Sequence, residues 1–371
     1  MGRNILITGA AGYIGGSLLA EVLSRSSGPI KSANISAAVR TEEQARSLSK
    51  LGVNIIQVDL SDETAVSEAV LRNEIDMIVH TASSSNSRLA SNLIKALGQR
   101  RRASGEETFF IHVSLYIIFL LVTSLNTSQS SVTSVYSKEG GWPYGEVTDT
   151  DPIFEKEKEI RGPHPVRETN ILVTEQAKAH GVTSFIVVVP STYGRGSGEW
   201  RRLSVNIPAY IRTSIAHKIV YKFDKDGSPP AVHISDLTAF YALLMEKILN
   251  KEPIPSGEKG YYFAFAHRQP WWEVMQRLAN ALYTRELVAE PKVQVWPSYE
   301  MAAEVLGFPR MHIRAIGTSS GQLVPVNAYR LGWQPKWDKE RFLESMDDEV
   351  QAVLELDTVK PTLFDSLPPS D

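Results

Sequence analysis

Short apolar runs alternate with amphipathic stretches through the first half of the chain. Asn4-Ile5-Leu6-Ile7 predicts a first strand, and Ser17-Leu18-Leu19-Ala20-Glu21-Val22-Leu23 the helix after it. Asn34 to Val39 predicts strand two, Glu42 to Leu51 a helix, Val53 to Val58 strand three, Asp76 to His80 strand four and Thr108 to His112 strand five. Glu168 to His180 then reads as a helix and Phe185 to Pro190 as strand six. Strands separated by helices of this length predict an α/β fold with a parallel, doubly wound sheet. Farther on, Tyr261 to Phe265 reads as a strand, Trp271 opens a helix to Leu282, and Glu340 to Leu356 is a final amphipathic helix. At 371 residues the chain is long enough for two lobes.

Between the first strand and its helix stands Thr8-Gly9-Ala10-Ala11-Gly12-Tyr13-Ile14-Gly15-Gly16. Gly9 permits the tight turn off the strand, Gly12 lets the backbone approach a pyrophosphate, and Gly15 lets the helix pack close to the sheet. The helix start then presents free N–H groups and the positive end of its dipole. A tight turn with no nucleotide is the alternative reading. The spacing Thr8-Gly9-x-x-Gly12-x-x-Gly15 resembles the extended short-chain dehydrogenase/reductase superfamily, including its NAD-dependent epimerase/dehydratase and NmrA-like branches.

That resemblance implies a Rossmann-type doubly wound sheet with a smaller carboxy-terminal α+β substrate lobe. Residues 1–200 would form the dinucleotide domain, with 233–250 returning to it; 201–232 and 251–360 would form the substrate lobe, and 361–371 a loose tail. Thr8, Gly9, Ala11, Gly12, Tyr13, Ile14 and Gly15 would hold the cofactor. At the end of strand two an acidic residue suits a ribose 2'-hydroxyl and a basic one a 2'-phosphate, so Arg40 favours NADP, with NAD the alternative. A merely solvated Arg40 stays open. Asp59-Leu60 resembles the family's adenine-contacting pair, or Asp59 caps the helix before Glu63. Thr81-Ala82-Ser83 takes the place where the family backbone runs beside the cofactor. Pro190-Ser191-Thr192-Tyr193-Gly194 resembles the turn near the nicotinamide, and Gly194 to Gly198 makes a mobile glycine-rich loop. Val232-His233-Ile234-Ser235-Asp236-Leu237 and Arg330 to Pro335 match further family segments, with Asp236 reading as a helix cap.

Family oxidoreductases use a Tyr with a Lys four positions later, because an unperturbed Tyr is a poor base at neutral pH. That pair should lie near Pro163 to Arg167, where Pro163-His164-Pro165-Val166-Arg167 stands instead. His164 is a stand-in acid/base or a plain loop histidine. Arg167 replaces the lysine as a cofactor or substrate-anion contact, or lies on the helix surface. Ser131 and Thr133 are the candidate substrate-orienting hydroxyls. The implied function is an atypical NADP-dependent oxidoreductase or epimerase/dehydratase acting on a small organic or sugar-nucleotide-like substrate. A non-catalytic, NmrA-like redox sensor is the alternative.

Composition narrows this only slightly. A net charge of -3 gives no reason to expect a nucleic-acid partner. Zero Cys excludes disulfides and thiolate chemistry, no metal site is read, and the direct entry into strand one fits a cytoplasmic protein without a leader. A small-molecule substrate is the expected partner, with a homodimer left open.

One stretch departs from the pattern. Strand five does not stop at His112; the apolar run continues through Val113 to Val122. A membrane span over 109–125 is one reading, although the run is slightly short for the roughly 20 residues required. A long buried strand or helix is another. The third is that Val113 to Gln129 is translated intron, whose removal joins Phe109-Phe110-Ile111-His112 to Ser130-Ser131-Val132-Thr133-Ser134-Val135-Tyr136. The intron reading predicts mature transcripts lacking codons 113–129; RNA reads running through the segment in every mature transcript would refute it.

Overall fold

The structure, a computed structural model, describes residues 2–115, 135–138, 141–308, 310 and 313–356. Its centre is a seven-stranded parallel sheet of β1 (Asn4–Thr8), β2 (Asn34–Val39), β3 (Asn54–Gln57), β4 (Met77–His80), β5 (Phe109–Leu115), β6 (Thr183–Val189) and β7 (Tyr261–Phe263). The order across the sheet is β7-β6-β5-β4-β1-β2-β3. The direction of winding therefore reverses between β4 and β1, which opens a crevice at the carboxyl ends of these strands. The helices that bear on it are α1 (Tyr13–Leu23), α2 (Glu42–Ser49), α3 (Glu63–Arg72), α4 (Ser87–Ser104), α5 (Ile153–Glu159), α6 (Pro165–His180), α7 (Asn206–His217), α8 (Ile234–Leu249), α9 (Trp271–Thr284), α10 (Lys339–Glu344) and α11 (Met346–Leu356).

Alternation along each strand sorts the side chains into two cores. Ile5, Ile7, Val79, Ile111, Val113 and Val187 face α1 and α8, while Leu6, Ile78, Phe110, Ile186 and Val188 face α3, α4 and α6. Burial on both faces explains why these strands read as continuous apolar runs. A third core, built from Tyr210, Val220, Trp271, Leu278, Phe342 and Val350 among others, belongs to the second lobe. Three small sheets accompany it: Ser191–Tyr193 with Pro230–His233 and His267–Arg268, Val220–Lys222 with Val293–Val295, and Val147–Thr148 with Leu323–Val324.

Several expectations change. The strand at Tyr261, placed by sequence in the second lobe, is the seventh strand of the main sheet, parallel to β6. β5 runs to Leu115, with Val113, Ser114 and Leu115 paired to Val187, Val188 and Val189. So the first three residues of the apolar stretch are ordinary sheet; 116–129 lies outside the described residues, and with it most of the proposed intron and membrane segment. Among the described residues no helix is long and apolar enough to cross a membrane. The helix predicted over Glu340 to Leu356 is broken at Ser345 into α10 and α11.

The glycine turn fixes α1 against the sheet. A Cβ on Gly15 would lie 2.3 Å from the Gly9 carbonyl oxygen and 2.4 Å from Thr81 Oγ1, and Gly9 has φ +72° with the Thr81–Ala82 backbone 2.8 Å from its own missing Cβ. Gly15→Ala is therefore expected to cost roughly 2 kcal/mol or more, as overpacking against backbone does, read as a lowered urea midpoint with an unchanged m-value.

Candidate functional site

Three loops meet at the carboxyl ends of β1, β4 and β6. After β1, the Gly12 N–H donates to the Gly9 carbonyl at 2.8 Å and closes the turn. Gly12 is also the N-cap of α1, so no side chain caps the helix and no acidic residue stands in its first turn. The leading N–H groups, including those of Tyr13 and Ile14, are thus left to an anion. After β4, the Thr81 hydroxyl donates to the Thr8 carbonyl at 2.6 Å, which holds Thr81-Ala82 beside the glycine turn. Ala11 is buried beneath it. Ser83 accepts from the amides of Ser85 and Asn86, turning the chain into α4.

After β6, Pro190 to Tyr193 passes over this site, and the Tyr13 hydroxyl donates to the Gly194 carbonyl at 2.7 Å. Tyr193 itself points away, into the second lobe. His267 Nδ1–H donates to the Arg268 carbonyl, leaving Nε2 to accept from the Tyr193 hydroxyl at 2.7 Å. Gly194 has φ +94°, and a Cβ there would meet His233 Nε2 at 2.1 Å.

At the other end of the crevice, Arg40 and Asp59 leave adjacent strands β2 and β3. The Arg40 side chain is exposed, while its backbone is pinned by Gln44 and Gln57. The amide and hydroxyl of Ser61 hold the Asp59 carboxyl below its ordinary range, with Arg40 and Arg88 adding to the effect. Arg88, at the start of α4, was missed by the sequence reading. The cap before Glu63 is Asp62, which accepts from Thr64 and Ala65, so Asp59 is not that cap. Leu60 is buried, and its carbonyl accepts from Asn92.

His164 and Arg167, which the sequence offered in place of the expected Tyr/Lys pair, stand at the head of α6. His164 is the helix N-cap residue, and neither of its buried ring nitrogens has a hydrogen-bond partner among the described residues. Burial pushes it down to about 4, with Arg167 pushing the same way, so its imidazole is neutral at physiological pH. Arg167 is 4% exposed, not on the helix surface. Beneath it lies Glu157 of α5, which accepts from Tyr136 Oη at 2.9 Å, Asn170 Nδ2 at 2.9 Å and Tyr261 Oη at 2.7 Å. Burial raises Glu157 to about 7 against the lowering influence of these donors and of Arg167. Glu157 escaped the sequence reading because it sits in a charged run, Glu155-Lys156-Glu157-Lys158-Glu159, that reads as a solvated face.

Ser131 and Thr133 lie outside the described residues. Nearest to their expected place, the longer β5 puts Ser114 at its end, fully buried with no partner for its hydroxyl among the described residues. On the same side stand His112 and His80, rings stacked 5.7 Å apart, and Thr8, which shares a 2.7 Å hydrogen bond with His80 Nδ1. Asp236 is not a helix cap: His233 caps α8, and Asp236 Oδ2 accepts from the amides of Lys336 and Trp337 at 2.9 Å. Among the described residues no cluster of His, Asp and Glu could hold a metal ion.

This is a doubly wound α/β protein with a glycine-rich turn at the switch point of its sheet. The chain belongs to the NAD dependent epimerase/dehydratase family, whose model matches residues 5–255. Its fold is similar to a Thermus thermophilus UDP-glucose 4-epimerase solved with NAD, at TM-score 0.58 and 16% identity over 94% of this chain and 99% of that one. It is also similar to a Bacillus anthracis dTDP-glucose 4,6-dehydratase solved with NAD, at TM-score 0.61 and 13% identity over 95% and 97%. A third is a monomeric L-threonine 3-dehydrogenase from a metagenome, at TM-score 0.60 and 15% identity over 94% and 99%. At these identities the likeness establishes the fold alone. The sequence matches none of the curated proteins compared with it.

Protonation of Glu157 gives a stability test. Its folded pKa lies above the unfolded value, so its contribution is full below about pH 4.5 and is lost as pH rises through about 7. Glu157→Gln is expected to gain on wild type by on the order of 2 kcal/mol between pH 5 and 8, measured by urea unfolding at each pH. A difference that does not vary with pH would contradict this.

Proposed function

We propose that the protein binds a nicotinamide dinucleotide across the carboxyl edge of the sheet, NADP in preference to NAD. The observation that carries the reading is the uncapped start of α1, held against Thr81-Ala82 by glycines whose positions have no room for a Cβ. Thr8 to Gly15 would take the pyrophosphate, Asp59 and Leu60 the adenine, and Arg40 the 2'-phosphate. The solved epimerase and dehydratase carry NAD, which supports the dinucleotide but not the preference. That preference rests on two arginines, Arg40 and Arg88, beside a single carboxylate, Asp59.

When bound, the nicotinamide supplies hydride transfer. The chain's own contribution would be a buried cation at Arg167, fixed above Glu157, a neutral imidazole at His164, and a hydroxyl from Ser131, Thr133 or the strand-end Ser114. A guanidinium stays charged, so Arg167 stabilises an anion and does not relay a proton. His164 is then the titratable group left to accept or return one, and the reaction is an oxidoreductase or epimerase/dehydratase step on a small organic or sugar-nucleotide-like substrate. The second reading, a non-catalytic dinucleotide sensor of the NmrA-like kind, draws on the same facts. No Tyr/Lys pair stands at Pro163 to Arg167, and a histidine held near 4 is a weak base.

Titration with NADPH and NADH, followed by a carbonyl and sugar-nucleotide panel, separates these. NADPH is expected to bind more tightly, and Arg40→Ala to weaken it by roughly tenfold to a hundredfold while leaving NADH unchanged, the size of a lost charged hydrogen bond. Turnover that is lost in His164→Asn supports the enzyme. Binding with no turnover across the panel supports the sensor.

A further inference from the structure

The loop Gly194-Arg195-Gly196-Ser197-Gly198, read from sequence as mobile, is stitched down on two sides. Toward the glycine turn, the Gly194 carbonyl accepts from Tyr13 Oη at 2.7 Å, and the Ser197 amide donates to Ser17 Oγ at 3.2 Å. Gly198 lies so close to Gly16 that a Cβ on it would come within 2.8 Å of the Gly16 carbonyl carbon. Toward the second lobe, the Gly194 amide donates to Glu349 Oε1 at 2.6 Å, and Arg195 pairs with Glu355 at 2.7 Å. Both carboxylates belong to α11, whose Met346, Val350 and Val353 are packed in the third core. One residue, Gly194, therefore receives a hydrogen bond at its carbonyl from the first residue of α1 and gives one from its amide to the last helix of the described residues.

The exposed Arg195–Glu355 pair is worth little. Glu349 differs: it is 4% exposed, and a carboxylate buried to that degree is costly unless its bonds are made. We infer that Glu349 is a positioning residue for the dinucleotide site, its carboxylate holding the Gly194 peptide, and through Tyr13 the start of α1, in the arrangement that takes the pyrophosphate. The inference rests on the dinucleotide reading above and adds the carboxy-terminal helix to that site.

The groups facing Glu349 are Tyr13 from α1, Tyr193 from the strand before the loop and Asp348 on its own helix. Asp236, Asp338 and Arg341 act on Tyr193 in turn, His267 bonds its hydroxyl, and His233 abuts Gly194. Burial, with Asp348 in support, raises Glu349 to about 7, so its charge changes within the physiological range. The ionised form accepts a charge-assisted bond from the Gly194 amide; the protonated form accepts a weaker one.

NADH, which has no 2'-phosphate to titrate, is the probe. Its affinity is to be measured by calorimetry at about pH 6 and pH 8 for the wild-type chain, Glu349→Gln, Tyr13→Phe and Asp347→Asn. Wild type is expected to bind roughly fivefold more tightly at the higher pH, the worth of a charged over a neutral hydrogen bond. Glu349→Gln keeps a neutral acceptor and is expected to match wild type at low pH, to be about fivefold weaker at high pH, and to show a flat profile. Asp347→Asn, which breaks the Arg285 pair on the outer side of the same helix, is expected to follow wild type. Tyr13→Phe cuts the other half of the tie and is expected to weaken binding at both pH values, which keeps the test alive if Glu349→Gln fails to fold. Wild-type affinity and profile in Glu349→Gln, or unchanged binding in Tyr13→Phe, overturns this inference alone. A wild-type chain that binds neither NADH nor NADPH overturns the dinucleotide reading along with it.

Discussion

The constraint on which the candidate site depends is the fit of α1 against the sheet. Gly9 and Gly15 sit where the backbone of Thr81-Ala82 and the carbonyl of Gly9 leave no space for a Cβ. Because β1 and β4 are adjacent and mark the switch point, that fit sets how near α1 stands to the end of β4, and hence how wide the crevice is. Gly196 and Gly198 repeat the device from the other side, lying against Tyr13, Ser17 and Gly16. The start of α1 is thus clamped between two backbone segments that belong to different parts of the chain. Its amides stay uncapped by side chains because the N-cap residue is Gly12.

Away from this clamp, buried carboxylates join the parts. Asp149 accepts from the amides of Phe263, Val326 and Asn327, and so binds β7 to the late turn before Arg330. Glu157 joins α5, the turn at Tyr136, α6 and β7. Asp236 holds the amides of Lys336 and Trp337, while its carbonyl accepts from Trp333 Nε1. Each is a carboxyl group buried in a seam between elements, where an unmade hydrogen bond costs more than a made one contributes. Such groups fix which surfaces meet rather than how strongly. The second lobe is attached through these seams and through repeated crossings of the chain, which explains how β7 comes to sit in the main sheet despite its late position.

Much of this was legible in the sequence, for definite reasons. Strands buried on both faces must be continuous apolar runs, so β1 to β6 could be read directly, and the glycine spacing at Thr8 to Gly15 marks a turn of one kind. What escaped was of two sorts. A three-residue strand such as Tyr261–Phe263 carries no information about which sheet it joins, since pairing is decided by packing far along the chain. Buried acids look like surface acids: Glu157 lies in a run of alternating charge and Glu349 in Met346-Asp347-Asp348-Glu349, and only the fold shows which carboxylate turns inward. Asp236 misled for the converse reason. It stands where a cap should stand, but His233 already supplies that acceptor, which frees Asp236 for the turn at Lys336.

A buried arginine at the head of α6, where the family resemblance leads one to expect a lysine, has consequences that follow from chemistry alone. A lysine beside a tyrosine lowers its pKa and can pass on a proton; a guanidinium can do the first at a distance and never the second. Arg167 needs a counter-charge once it is buried, and Glu157 stands within its electrostatic reach, shared with two tyrosines that donate to it. Those hydroxyls are consequently committed: burial and the same carboxylate hold Tyr136 and Tyr261 well above the ordinary tyrosine range, so both stay protonated at physiological pH. His164, at the head of the same helix, is kept in its neutral form by burial and by the neighbouring guanidinium. Any anion that pairs with Arg167 would remove the smaller, coulombic part of that depression and raise the proton affinity of the imidazole, so that anion binding and protonation at the head of α6 are coupled through one cation.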